Sequence, residues 1–511
     1  MWLFGKKKTS KPKQIRAKYD AAQTTVDNMR HWAMADAYSA DAAMTPEVRR
    51  TLRNRSRYEV ANNSYAKGMV LTIAGDCVGT GPRLQLLTER DEYNSRIEQE
   101  FADWCETIDL PQKLRAMRMA KATDGEAFAI LVKNPHLQHP VKLDIRLVEA
   151  DRIATPEMQA SFENLTDGIE FDAYGNPLQY YLLKYHPGDG SFRPGEFEKV
   201  PVEAMIHWYR MDRPGQHRGI PETTPALPLF AQLRRYTLAV LAAAETAADF
   251  AAVLYTDSPA NGEAQSLEPM DVVPLEKRMA TVLADGWKLG QIKAEHPNTT
   301  YAEFKREILG EIGRCLLVPV NVLTGDSSQH NYASGRLDHQ TYFRSLRIEQ
   351  SHCAKVVLDK IFNSWMALRH SRNVSLFPHS AKRNPSHQNG IITEFGSRPT
   401  EGGAISAEGN RDATSARCWY WDGMEHVDPL KEANAQAKRL GSLTTNLAAE
   451  YARQGKDWEM ELRQAARERE LMKQLGLAPS PEPTNSNQDE TDEENDNELM
   501  VRSKRYHDPA Q

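Results

Sequence analysis

The feature that most constrains the fold is a long alanine-rich segment from Thr224 to about Tyr255. Pro225 and Pro228 stand near its beginning, where a helix tolerates proline best. Alanine has the highest helix propensity, and its small side chain lets neighbouring helices approach closely. The segment therefore predicts one helix of roughly 45 Å, at about 1.5 Å per residue. The simplest interpretation is a buried core helix of a single domain, and a close interface between long helices is the alternative.

The rest of the sequence mixes helical and strand patterns, which predicts an α+β fold. Thr45 and Pro46 begin a helix that continues, with a break near Asn62 and Asn63, to Gly75. Apolar residues three to four apart predict the next helix, from about 91 to 108. The other predicted helices are 109–124, 300–315, 337–368 and 428–475, and the predicted strands are 127–132, 141–147, 180–185, 204–209 and a weak pair at 280–283 and 286–289.

Four segments lack such periodicity. Residues 1–20 are basic and predict a mobile arm, whereas residues 324–335 form a polar loop between two predicted helices. Residues 370–413 are rich in Ser, Arg, Gly and Pro, a composition that indicates a functional or disordered stretch when it is this long. Residues 478–500 are rich in Pro, Asn, Asp and Glu, which predicts disorder.

Charge is distributed unevenly along the chain. The formal net charge is −6, yet seven Lys and Arg fall between Met1 and Lys18, and seven Asp and Glu fall between Asn487 and Glu498. Proteins that grip DNA tightly are usually basic overall, because lysine and arginine neutralise phosphates. The composition therefore argues against a specific DNA binder, and it is compatible with a surface past which DNA slides.

No motif indicates catalysis, a cofactor or a metal. The chain lacks a Walker-type phosphate loop and a Gly-x-Ser-x-Gly elbow, and its five cysteines are far apart, without a Cys-x-x-Cys pair. We therefore predict that the protein is not an enzyme. A nuclease is the alternative from another class, and it would need clustered carboxylates that bind magnesium.

The order of residues at the start of the chain bears on localisation. The apolar residues Met1–Gly5 precede Lys6, Lys7 and Lys8, whereas a signal peptide carries its charges first. No apolar run approaches the ~18 residues that span a bilayer. We expect the protein to be made in the host cytoplasm.

Two motifs in the first half of the chain resemble the portal family of lambda-type phages. The first is RYEVANNSYAKG at 57–68, followed by VGTG at 78–81. The family has NNPYA and a VGTG turn at this place, and Ser64 replaces the proline. The second is IHWY at 206–209, followed by RPGQHRGIP at 213–221, which is similar to the family's RPGQ-RG-P.

Two further motifs lie in the second half. NYASGR at 331–336 resembles the family's NYSS-R, with Ala333 in place of a serine, and VDPLKEA at 427–433 is similar to its DP-KE. Each motif is short, but their common order across about residues 40–475 is specific. The chain departs from the family pattern at 370–413.

The resemblance implies a phage portal fold with wing, stem, clip and helical crown, in which long helices surround the central channel of a ring of about twelve subunits. It implies the following divisions: N-terminal arm 1–40, wing 41–223, first stem helix 224–255, clip 256–299, second stem element 300–322, tunnel loop 323–336, long helix 337–369, a segment of unknown role 370–422, crown 423–477 and acidic tail 478–511.

A portal ring implies a passive role at one vertex of the virion capsid. Double-stranded DNA passes non-specifically through the channel during packaging and ejection, and the ring joins head to tail. The partners implied are the terminase large subunit, which supplies the ATPase, capsid and scaffold proteins, and head–tail connector proteins. No membrane is involved. The alternative within the same class is another head–tail adaptor or a minor capsid protein, although adaptors are usually much shorter.

Two sets of candidate site residues follow from this interpretation. The tunnel loop would present polar side chains to DNA, namely Gln329, His330, Asn331 and Ser334. Arg49, Arg53 and Arg57 recur at i, i+4 and i+8 and so share one helix face. They are candidates for contact with DNA or a partner, and a solvated or salt-bridged face is the alternative.

Overall fold

The structure is a computed structural model that describes residues 22, 25–26, 28–156, 164–190, 196–249, 253–256, 287–290, 298–371, 417–423 and 429–477. The chain divides into two compact units, Met1–Asp422 and Gly423–Gln511. The arm 1–20, the tail 478–500, the irregular stretch beyond Ser371 and most of the predicted clip lie outside the described residues. Within the described part of the chain, no helix is both long and apolar enough to cross a membrane.

The first unit begins with helices whose ends follow from their capping residues. Thr45 accepts a hydrogen bond from the backbone N–H of Val48 at 3.4 Å, and Asn63 caps the following helix in the same way. The helices of this half are α1 (Ala40–Ala43), α2 (Pro46–Asn62), α3 (Ser64–Val78), α4 (Asp91–Thr107) and α5 (Leu110–Asp124). The predicted break at Asn62 and Asn63 is confirmed.

Antiparallel sheets follow the helices. A three-stranded sheet has the order β3 (Leu143–Val148), β2 (Glu126–Lys133), β8 (Met205–Tyr209), and a four-stranded sheet has the order β4 (Leu165–Thr166), β5 (Ile169–Phe171), β6 (Pro177–Leu183), β7 (Phe197–Pro201). An apolar core with Phe128, Ile130, Tyr180 and Leu182 among its members joins these two sheets. The four strands predicted in this region are confirmed, with shifts of up to three residues at their ends.

Further helices account for most of the described residues between Leu227 and Ser371. They are α6 (Leu227–Asp249), α7 (Asn298–Arg314), the short α8 (Val320–Thr324), α9 (Tyr332–Cys353) and α10 (Asp359–Ser371), and a π-helical turn at Ala354–Leu358 connects the last two. Phe101 of α4 packs edge-on against Phe362 and Trp365 of α10. This aromatic contact fixes the end of the long helix against the N-terminal helices.

Strands β4, β5 and β7 were not predicted from the sequence, and two further strand pairs also differ from the prediction. The alanine-rich helix ends at Asp249 instead of Tyr255, because Val253–Thr256 form strand β9, which pairs with β10 (Trp287–Gly290). The predicted strand near 286–289 is thus present, but its partner is β9. Strand β11 (Arg417–Tyr420) pairs with β1 (Arg83–Leu86), and neither had been predicted. β-branched and aromatic residues form strands where a partner strand is available.

The described residues of the second unit form helices α11 (Pro429–Gly441), α12 (Leu447–Arg453) and α13 (Trp458–Gln474). Arg439 of α11 pairs with Glu450 of α12 at 3.0 Å and with Glu432 at 2.8 Å. Helices predicted across 428–475 are confirmed, and the α+β class is confirmed for the described residues.

Candidate functional site

The polar loop between α8 and α9 is shorter than the sequence suggested. Gly325 ends α8 with φ +68°, a conformation that favours glycine. Asn331 caps α9, because its side-chain oxygen accepts a hydrogen bond from the backbone N–H of Ser334 at 2.8 Å. The loop therefore comprises residues 325–331, and Ser334 lies in the first turn of the helix.

Contacts on both sides hold this loop against the start of α9. The buried amide of Asn321 lies 3.1 Å from Nε2 of His339. Nε2 of His330 lies 3.6 Å from a carboxylate oxygen of Asp338. The loop ends are therefore fixed, while the residues between them, 325–329, are exposed.

The four predicted DNA-facing residues thus occupy different positions. Gln329 is exposed at the loop tip, whereas His330 is partly buried and turned toward Asp338. Asn331 and Ser334 are engaged in the helix cap, and the Ser334 hydroxyl donates to the Asn331 carbonyl at 3.2 Å. Gln329 is the member of this set that is best placed to meet a ligand.

The loop carries negative charge and no lysine or arginine. Asp326 accepts a hydrogen bond from the backbone N–H of Ser328 at 2.9 Å. This bond holds the pKa of the Asp326 carboxyl below its usual value, so the side chain is ionised at neutral pH. A phosphate backbone would be repelled weakly at this point instead of being bound.

The helix that follows the loop is attached firmly to α3. Tyr342 donates a hydrogen bond to Asp76 at 2.8 Å, and burial raises the pKa of this phenol. The amide of Gln350 donates to the carbonyl of Cys77 at 3.1 Å. Two turns of α9 are thereby held in register with α3.

The side of α2 that carries Arg49, Arg53 and Arg57 packs against the rest of the first unit. Arg49 pairs with Asp167, and Arg53 lies 3.5 Å from Glu126 and 3.6 Å from Asp151. Arg57 pairs with Asp124 at 2.7 Å and with Asp151 at 2.6 Å. These guanidinium groups face carboxylates of the same chain, as the salt-bridged alternative describes, and the Arg57 side chain is still 31% exposed.

Arg218 stands at the centre of the same network. Its guanidinium is fully buried, 2.6 Å from Glu126 and 2.9 Å from Asp167. Burial alone would raise the pKa of the Glu126 carboxyl, but Arg218 and His207 together hold it well below its usual range. Burial likewise lowers the pKa of His207, although Glu126 opposes this effect. The network links α2 to the sheet that carries β2 and β8.

A second long-range connection, at the surface of the first unit, involves the VGTG turn. Asp422 accepts hydrogen bonds from the backbone N–H of Thr80 at 2.5 Å and from its hydroxyl at 2.6 Å. Gly79 has φ +56°, and a Cβ there would collide with this carboxylate. The turn thus binds the chain where it leaves β11. The motif was visible in the sequence, but its partner, more than 300 residues away, was not.

Within the described residues, one group has the composition of a metal site. The ligand atoms of Glu149, Asp151 and His186 lie within 4.8 Å of one another. Asp151 already pairs with Arg53 and Arg57, so arginines supply the positive charge at this position. The arrangement therefore resembles an ion-pair cluster more than a metal centre.

Comparison with known proteins identifies a family. A family model described as "Phage portal protein, lambda family" matches residues 26–350. The "Probable portal protein" of Halomonas phage phiHAP-1 is 22% identical over 486 residues, which cover 89% of this chain and 87% of the relative. "Portal protein B" of Escherichia phage lambda is 22% identical over 489 residues, which cover 86% and 87% of the two chains.

Solved structures with partial similarity include the neck of an empty GTA particle computed with C6 symmetry. That chain has a TM-score of 0.44 and 15% identity, with coverage of 61% of this chain and 80% of its own. The neck of a native GTA particle computed with C12 symmetry gives a TM-score of 0.39 and 15% identity, with coverage of 58% and 76%.

Proposed function

Since the chain belongs to the lambda family of phage portal proteins, we propose that it assembles into a ring of about twelve subunits around a DNA channel. The ring occupies one vertex of the capsid, where it admits DNA during packaging, releases it during ejection and joins head to tail. The observation that carries this proposal is the family match, which covers most of the chain, including α6, α7 and the polar loop.

The pair of long helices supports a stem. Helix α6 has 23 residues and so measures roughly 35 Å. It packs on α7 through Tyr236, which lies 5.8 Å from Tyr301 and 4.6 Å from Phe304 between ring centroids. Leu238 and Leu241 of α6 are more than half exposed in the single chain. A neighbouring copy would bury these leucines, as the stem of a closed ring requires.

The chain between these helices has the position expected of a clip. The two strands of the antiparallel pair β9–β10 lie between α6 and α7 along the chain. We propose that residues 256–299 form the surface on which the terminase large subunit docks. In the same scheme residues 41–223 form the wing and residues 423–477 the crown, where capsid, scaffold and head–tail connector proteins would bind.

The exposed tip of the polar loop supports a tunnel loop. It offers DNA a neutral amide, Gln329, and one carboxylate, Asp326, and no cation. Each phosphate that lysine or arginine neutralises strengthens DNA binding. A loop of this composition therefore allows the duplex to slide past, which suits a channel whose motor is a separate ATPase.

The first test is the mass of the assembled protein. Native mass spectrometry, with negative-stain images of the same sample, should show a species of about twelve subunits with a central hole. The protein should be examined alone and after coexpression with the capsid and scaffold proteins of its phage. A monomer or dimer in every sample would refute the ring and favour a head–tail adaptor or minor capsid protein.

A second test addresses the loop. Gln329→Arg adds a cation at the tip, so we expect rings that form normally but package DNA several-fold more slowly, with the defect reduced at higher salt. The matched control is Gln329→Ser, which shortens the side chain without adding charge. Unchanged packaging by the arginine variant would show that this loop does not face DNA.

A further inference from the structure

Helix α9 presents an exposed basic face, and Arg336 is the one arginine of this face that belongs to a portal motif, NYASGR. At about 100° per residue, five exposed positions that are three or four residues apart fall within roughly 80° around the helix axis. They are Arg336, Gln340, Arg344, Arg347 and Ser351. None of the three arginines forms an ion pair or hydrogen bond with a described residue, and no acidic residue belongs to the face. We call these five positions the arginine face.

Helix α7 presents the opposite charge. Glu303, Glu307 and Glu311 recur at i, i+4 and i+8, which places them within about 80° of one another. All three are exposed, and none forms an ion pair or hydrogen bond with the described part of the chain. We call them the glutamate face.

Both faces reduce the stability of their helices in the isolated chain. Like charges three or four residues apart destabilise a helix. This applies to the three glutamates and to Arg344 with Arg347, although Arg306 and Arg314 stand three residues after Glu303 and Glu311. Large apolar side chains flank both faces: Leu337 and Ile348 on α9 are 64% and 68% exposed, and Phe304 on α7 is 44% exposed. Arginine beside exposed apolar residues is the composition of a protein interface.

The two faces are comparable, although not equal, in length. Glu303 and Glu311 are eight residues apart, or about 12 Å along α7, and Arg336 and Arg347 are eleven residues apart, or about 17 Å along α9. Three cations can therefore lie opposite three carboxylates where the helices run alongside each other. In a ring, each subunit's front meets the back of the next, so two different faces of one chain must be complementary.

Double-stranded DNA is the other ligand that an arginine face could bind. Three arginines on one helix would grip phosphates in every subunit, and this would oppose the sliding that the neutral loop tip favours. DNA also leaves the glutamate face without a partner. We propose that the arginine face of α9 docks on the glutamate face of α7 in the neighbouring copy. This inference rests on the proposed ring, in which this contact would join each subunit to the next.

The experiment uses full-length chains in which one face is reversed. The arginine-face variant is R344E/R347E, and the glutamate-face variant is E307R/E311R. The control is R50E/R55E, which reverses two exposed arginines of α2. The fraction of protein in rings is measured by native mass spectrometry, folding by circular dichroism, and binding of double-stranded DNA by filter retention.

We expect each one-face variant to fold, but the fraction of its protein in rings should be at least tenfold lower than in the wild type. The control should resemble the wild type. Mixed in equal amounts, the two defective variants should recover rings of alternating subunits, because every interface then joins opposite charges. Recovery of this kind cannot come from misfolded chains. The wild-type rings should themselves become less stable in high salt, since ions screen exposed charges.

Three results would overturn the inference. One-face variants that form rings like the wild type would show that the faces are not in contact, and so would defective variants that do not complement each other. An arginine-face variant that forms rings but loses DNA binding would assign that face to DNA. A wild-type chain that never forms rings would instead refute the proposed function, on which the inference depends.

Discussion

Removing the central arginine of the buried network should destabilise the protein more than any single change at its surface. Arg218→Met keeps most of the side-chain volume but leaves Glu126 without the guanidinium that lies 2.6 Å away. Glu126 would retain Arg53 at 3.5 Å and His207 at 3.1 Å. The carbonyl of Ile153, which accepts from Arg218 at 3.1 Å, would also lose its donor.

The expected magnitude follows from burial. Both members of the pair have fully buried side chains, and removing one partner of a buried ion pair typically costs about 3–5 kcal/mol. Because the Arg53 guanidinium and the hydrogen-bonding imidazole of His207 remain near Glu126, we expect a loss near the lower end, about 3 kcal/mol of unfolding free energy. That is a large part of the ~5–15 kcal/mol that stabilises a typical domain.

Urea unfolding of the unassembled protein, followed by tryptophan fluorescence, measures this loss. Arg96→Met is the matched control, because Arg96 is exposed and its ion pair with Glu100 is 3.7 Å long. We expect the control to cost less than about 1 kcal/mol. The variant Glu126→Gln completes a double-mutant cycle, in which the combined effect should be smaller than the sum of the single effects. Equal losses for Arg218→Met and Arg96→Met, or strictly additive effects, would refute the reasoning.

Three further changes test other parts of the first unit. Gly219→Ala should greatly reduce the yield of folded protein, because a Cβ there would collide with the backbone of Gly125, whereas Gly68→Ala, which has open space, should not. Asp422→Ala should cost about 1–3 kcal/mol of local stability, seen as faster hydrogen exchange in β11. Stability should fall as pH falls below the usual His207 pKa of 6.5, since the unfolded chain binds that proton more readily than the folded chain. A His207→Gln variant should show a smaller decline, since burial also lowers the pKa of His352, and a wild type whose stability is constant between pH 7 and 5 would contradict the prediction.

Local signals predicted the elements that depend on neighbouring residues alone. The N-cap Thr45 with Pro46, the apolar spacing of Ile97, Phe101 and Trp104, and the glycine after Asp124 all mark helix ends or faces within a few residues. Strands β9 and β11 were missed for the opposite reason. Each is four residues long and is stabilised by a distant partner, 30 residues away for β9 and more than 300 for β11.

The same difference between local signals and distant contacts applies to the candidate site residues. Sequence spacing correctly placed Arg49, Arg53 and Arg57 on one face of α2. Their acidic partners come from the end of α5, from β2 and from two connecting segments, which only the fold brings together. The polar loop was recognised from its composition, but its end was placed too late. Asn331 is a favourable N-cap followed three residues later by Ser334, and this signal was sufficient to begin α9 at Tyr332.

The positions of the family motifs suggest a division of labour within the subunit. Arg57, Thr80 and Arg218 all lie in contacts that attach distant segments of the first unit to one another. The exposed features, namely the loop tip, the leucines of α6 and the charged faces of α7 and α9, lie outside those contacts. We infer that these motif residues make the first unit rigid. A subunit that stays bound to its neighbours while DNA moves past it needs a core that does not deform. On this view Arg218→Met should reduce unfolding free energy and ring yield together, whereas Gln329→Arg should change the rate of DNA movement in rings of normal stability.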